Sequence, residues 1–130
     1  MADIISIHQK RTFSLEEARA VLPIVRRITE RSSDAYRAVR TRLDSVRRDP
    51  TECVRFEERL HDIVVDWVES MRRLGCEARG LWIVDFDRGD GFYCWKYPEE
   101  DILFFHDYDG GFSARVPLES LHLIQEEETV

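Results

Sequence analysis

Apolar residues recur over residues 15–48 in alternating steps of three and four: Leu15, Ala18, Leu22, Val25, Thr29, Ser32, Tyr36, Val39, Leu43 and Val46. This spacing puts one seam on one face of a helix. Its middle carries two small polar residues, Thr29 and Ser32. The helix has a clear start. Ser14-Leu15-Glu16-Glu17 is a capping box, in which the Ser14 hydroxyl accepts from the Glu17 amide and the Glu17 carboxylate reaches back to the Ser14 amide. Phe13 stands at the staple position before it. Pro23 removes one helical hydrogen bond and predicts a kink near residues 19–23 without a chain reversal. Asp49-Pro50-Thr51-Glu52 punctuates next, with a capping aspartate and a proline suited to the first helical position. A second seam follows at Phe56, Leu60, Ile63, Trp67, Ser70 and Leu74, widened by Val64, Val68 and Met71. Gly75 fits a left-handed helix terminus. The short link makes the two helices antiparallel neighbours.

After Gly75 the period changes. Leu81–Phe86, Phe92–Tyr97 and Ile102–His106 are short runs rich in aromatic and β-branched residues. Asp87-Arg88-Gly89-Asp90-Gly91 and Pro98-Glu99-Glu100-Asp101 separate them. The pattern predicts a three-stranded antiparallel meander. Phe112–Val116 is a candidate fourth strand, and 117–124 a short helix or a packed irregular segment. Residues 126–130 read as a frayed acidic tail. No repeat or internal linker is visible. The fold class is therefore α+β in a single domain over 1–130: a helical hairpin at 14–75 packed on a small meander at 80–118.

Length tests this picture. A helix over 15–48 would measure about 50 Å, whereas a compact domain of 130 residues is roughly 36 Å across. Val39, Leu43 and Val46 then need cover from the second helix or from another chain. Two hairpins in a four-helix bundle would supply it, so a homodimer through the helices is expected.

Composition adds limits. Apolar residues make up 43% of the chain and charged residues 35%, which excludes collagen-like and wholly disordered chains. No run approaches the roughly 20 apolar residues of a membrane span, and the N-terminus has no secretory pattern. A cytoplasmic protein without membrane attachment is expected. Cys53, Cys76 and Cys94 make an odd count without a CxxC pair, so reduced, mostly buried thiols are expected. The net charge of −7 is unevenly placed: residues 14–48 sum to +4 and residues 77–130 to −9. The nine arginines of the first stretch flank a seam that must be covered. The split therefore points to pairing with acids of the second helix, or of the acidic half of a second subunit.

Chemistry is sparser. The polar residues set among the aromatic strands are the candidate binding patch: Asp85, Cys94, Trp95, Glu99, His106, Asp109 and Arg115. Buried charges need partners, so these residues form either a structural ion-pair network or a small polar pocket. In a pocket, His106 would be the acid, base or ligand, Asp85 or Asp109 would orient it, and Arg115 would hold an anion. Cys94, His106 and Asp85 are acceptable zinc ligands by type. A four-residue turn at Pro98–Asp101, however, sets Cys94 opposite Phe105 and His106 opposite Tyr93. The two would then lie on opposite faces, and only a one-residue shift would unite them. No metal or other cofactor is assigned on this register. Nothing near Cys94 lowers its pKa in a way that would make it a nucleophile, and Gly89-Asp90-Gly91 is a hairpin turn too acidic to cradle phosphate. His8, His61 and His122 have no partners at ligand spacing.

Gly80-Leu81, Val84-Asp85-Phe86, Cys94-Trp95, Glu99, Ile102, Phe105-His106, Gly111-Phe112, Arg115 and Pro117-Leu118, together with Thr12–Ala18 and Leu22-Pro23, resemble an uncharacterised bacterial family, domain of unknown function 2203. The chain departs from the family pattern at Pro98 and Ala114, where the family has glycine, and at Phe105, where it has tryptophan. The resemblance implies a two-part domain and brings no activity, substrate or cofactor.

The leading expectation is a small non-catalytic interaction or ligand-binding module. Its surface would be the aromatic–polar patch around Trp95, Glu99, His106 and Arg115, taking a protein or small-molecule ligand. One alternative is an enzyme or metal-dependent activity at Asp85, Cys94, His106 and Arg115. The other is weak RNA or phosphate binding by the arginine-rich first helix. The latter is disfavoured because the aromatics that stack on bases lie mostly in the acidic half.

Overall fold

The computed structural model describes residues 11–121. Helix α1 spans Leu15–Ser45 and α2 spans Pro50–Arg73. Both starts follow the sequence signals. Ser14 Oγ accepts from Glu17 N at 3.1 Å, and Ser14 N donates to Glu17 Oε1 at 2.9 Å. Asp49 Oδ1 accepts from the amides of Thr51 and Glu52. Gly75 closes α2 at φ +86°, a conformation open to glycine at little cost. α1 continues helically through Pro23.

A five-stranded antiparallel sheet follows, in the order β1 (Glu77–Gly80), β2 (Ile83–Asp87), β3 (Phe92–Lys96), β4 (Phe104–His106) and β5 (Val116–Pro117). Two strands differ from the sequence expectation. β1, Glu77-Ala78-Arg79-Gly80, has little apolar alternation to reveal it. The stretch Phe112–Val116 is not one strand: Phe112–Ala114 forms a 3₁₀ turn, and only Val116–Pro117 pairs with β4. Residues 118–121 are helical. The expected tail at 126–130, and the end of the 117–124 segment, lie outside the described residues.

The register between β3 and β4 corrects the four-residue turn. Cys94 pairs with Phe104, Tyr93 with Phe105 and Phe92 with His106. The cause is the connection after β3. Glu99 Oε1 accepts from Lys96 N at 2.8 Å, and the Glu99 carbonyl accepts from Trp95 Nε1 at 2.7 Å. Ile102 is drawn fully into the core. The chain thus spends residues 97–103 on the connection, and β4 enters one residue out of the simple hairpin register.

That shift decides which side chains share a face, since side chains alternate along a strand. Val84, Phe86, Tyr93 and Trp95 face the helices. There they join Phe13, Ala18, Leu22, Val25, Trp67 and Met71 in one core. The opposite face carries Asp85, Asp87, Phe92, Cys94, Phe104 and His106. The far end of α1 is covered in part within the chain, with Leu43 and Val46 half-buried. Val39 is buried, and Cys53 at the start of α2 donates its thiol to Val46 O at 3.3 Å.

The expected pairing of α1 arginines with α2 acids does not occur among the described residues. Arg19 pairs instead with Asp101 at 3.0 Å, and Arg26 donates to Glu99 O. α2 pairs its acids with its own arginines one turn away, as in Glu52–Arg55 and Glu69–Arg72.

Candidate functional site

Asp85 on β2 lies directly opposite Cys94 on β3, and His106 on β4 reaches across to them. All three are sealed: Asp85 and Cys94 are 0% exposed and His106 is 2% exposed. One ligand-type atom from each lies within 4.8 Å of the other two. His106 Nε2 is 2.9 Å from Asp85 Oδ2, which also accepts from Arg79 Nε at 3.0 Å. His106 Nδ1 is 2.8 Å from the Asp107 carbonyl. A carbonyl only accepts, so Nδ1 carries a hydrogen, and the contact on the other side of the ring needs one proton between Nε2 and Oδ2. Asp85 Oδ1 is buried with no hydrogen-bond partner among the described residues. The Cys94 thiol is pushed well above its ordinary range, first by burial and then by the Asp85 charge beside it. It stays protonated and is no ready nucleophile.

The other patch residues separate. Arg115 holds the Glu99 carboxylate through Nη1, 2.9 Å from Oε1 and 3.0 Å from Oε2. Its guanidinium stands 4.1 Å from the ring centres of both Phe104 and Phe112. Trp95 faces the helices and is buried in the core. Asp109 is exposed in the turn after β4. Asp87 accepts from the Tyr108 hydroxyl at 2.6 Å, and this bond, more than burial, pushes that hydroxyl up to about 12. Among the described residues, no open cleft forms in which Asp85, His106 and Arg115 meet.

The sequence reading missed a groove of about 530 Å³ between α1 and the turns that flank β2 and β3. Tyr36, Arg37, Arg40, Trp82, Tyr97 and Pro98 line it, with Ser33 and Thr41. Trp82 meets Tyr36 edge-on at 5.7 Å and Trp67 at 4.9 Å. In the sequence Tyr36 stands as a seam residue and Trp82 as one of the strand-region aromatics, with nothing to join them. Their meeting depends on where the β1–β2 turn crosses α1, which periodicity does not record.

This two-layer arrangement, a helical hairpin on an antiparallel meander, is what the matching residues of a family model occupy: the family described as an uncharacterized conserved protein (DUF2203) matches residues 11–118. The chain belongs to that family. The match runs from just before the α1 cap to just after β5, so it takes in both the sealed cluster and the groove. No curated protein and no solved structure matches the chain.

Proposed function

We propose that the chain is a non-catalytic binding module, and that its ligand is a planar ring bearing an anionic group, held in the groove at Trp82. The observation that carries this is the lining. Aromatic rings offer stacking faces, and Arg37 and Arg40, which make no ion pair among the described residues, offer charge to an anion. The sealing of Asp85, Cys94 and His106 supports the non-catalytic part, since a substrate would need a path to them.

Adenosine monophosphate is the test probe, because it joins a ring to a phosphate. Titrated into the full chain, it should quench tryptophan emission saturably, and more tightly than adenosine or inorganic phosphate alone. The Arg37→Ala/Arg40→Ala double variant should weaken it by about tenfold or more, a loss of roughly 1.4 kcal/mol. Absence of saturable quenching by any of the three would end this reading. An oligonucleotide that binds far more tightly than the mononucleotide would move it toward RNA.

The reading includes pairing with a second copy. Val54, Val65 and Val68 are 53%, 47% and 41% exposed, and their spacing puts them on one outer face of α2. Association through these valines should persist at 1 M salt, where the Debye length falls to about 3 Å, whereas association through the α1 arginines and the acidic half of a second copy should weaken there. Light scattering that gives a monomer mass at micromolar concentration would remove the dimer.

A further inference from the structure

We propose that Asp85, Cys94 and His106 form a binding site for a divalent transition metal, zinc by the chemistry of the ligand set. One carboxylate, one thiol and one imidazole suit zinc, which accepts oxygen, sulfur and nitrogen donors together. The proposal is independent of the groove.

Three observations carry it. The register brings the three donors together from three adjacent strands, within 4.8 Å of one another. Tetrahedral zinc, with bonds of roughly 2.0 Å to nitrogen and oxygen and 2.3 Å to sulfur, needs donors about 3.3–3.6 Å apart.

The imidazole is held as a ligand requires. Its Nδ1–H is fixed on the Asp107 carbonyl, which leaves Nε2 as the nitrogen aimed at the cluster. Metal-bound histidines have this arrangement, the second ring nitrogen tied to a carbonyl or carboxylate.

The carboxylate has a place for the ion. Oδ2 is held by Arg79, while Oδ1 is buried without a partner among the described residues. An ion bound by Oδ1, Nε2 and Sγ satisfies that oxygen and leaves the Arg79 contact in place. The charge also balances. The ion displaces the proton between Nε2 and Oδ2 and the proton of the thiol. Two positive charges leave as two arrive, so Arg79 feels no more net charge than before.

Cobalt(II) makes the test visible. The full chain, stripped with a chelator, should take up one cobalt per molecule, with the visible bands of a tetrahedral ion and a thiolate charge-transfer band in the near ultraviolet. One equivalent of zinc should displace both. Cys94→Ser should lose the charge-transfer band, whereas a Cys53→Ser/Cys76→Ser double variant should keep it. Where Cys94→Ser does not fold, X-ray absorption on the zinc-loaded wild-type chain decides. One sulfur at about 2.3 Å with nitrogen and oxygen at about 2.0 Å is expected, and a shell without sulfur overturns the site. No thiolate band at stoichiometric cobalt, or a band that survives Cys94→Ser, overturns it equally.

Discussion

The indole Nε1–H of Trp67 donates to Thr29 Oγ1 at 2.9 Å, with both side chains fully buried between α1 and α2. The small polar residue in the middle of the first seam is thus the acceptor that the largest side chain of the second helix requires. Buried tryptophans usually find a partner for this hydrogen. Thr29→Val keeps the volume and removes the acceptor. It leaves the indole N–H unsatisfied in the core, at a cost of about 1–3 kcal/mol. Urea denaturation of the two proteins should show that loss in the midpoint with an unchanged slope. An unchanged midpoint would mean that the bond contributes nothing net.

Of the described glycines, Gly91 in the β2–β3 turn has the least room for a side chain. A Cβ placed there would stand 2.5 Å from Phe105 Cζ and 2.7 Å from the His106 carbonyl oxygen. The phenyl ring is packed and the carbonyl belongs to β4, so neither yields easily. Gly91→Ala should destabilise the fold by about 1–3 kcal/mol, the usual range for overpacking. Gly89→Ala makes the comparison: no atom lies within 4 Å of the added carbon, but φ is +103°, so its cost is backbone strain alone. Thermal unfolding of the pair should show the larger fall in Gly91→Ala.

Much of this fold was legible because local signals and burial agreed. The Ser14 box, the Asp49-Pro50 start and the Gly75 terminus each act within a few residues, and each appears where the spacing put it. The sealed cluster was only half legible. Asp85, Cys94 and His106 stood out as polar residues in aromatic strands, but their faces depended on the length of one connection. Glu99 ties that connection down through its own backbone and carboxylate, and Phe104 instead of Phe105 falls opposite Cys94. A shift of one residue exchanges faces, so His106 joins Cys94 instead of opposing it. The groove was not legible at all, since Tyr36 and Trp82 lie 46 positions apart and meet only through tertiary packing.

Arg115 supports the β4–β5 end of the sheet by more than charge. Its flat guanidinium fits between Phe104 and Phe112, and Nη1 reaches both oxygens of Glu99. A lysine keeps the charge but has no planar face to lie between the rings. Arg115→Lys should therefore lose stability by about 1 kcal/mol or more, most of what Arg115→Met loses. Equal stability of Arg115→Lys and the wild-type chain in urea would show that only the charge matters there.

The alkaline limit of stability should report the buried thiols. Burial pushes the Cys76 thiol up to about 12, with the Arg11 guanidinium opposing. In the unfolded chain the same thiol ionises near its ordinary value of about 8.5. The folded value is the higher one, so the stabilisation is fully present below about pH 8.5 and is lost as the pH rises toward 12. For one thiol the loss is at most about 1.4 kcal/mol per pH unit. Urea midpoints measured from pH 7 to 11 should be level at first and then fall. Cys94 and Tyr108 are raised as well and add to the fall, so Cys76→Ala should flatten it in part. Its midpoint should be lower at pH 7, and its curve should approach that of the wild-type chain as the pH rises. Parallel curves across the whole range would show that Cys76 does not titrate differently in the folded and unfolded chains.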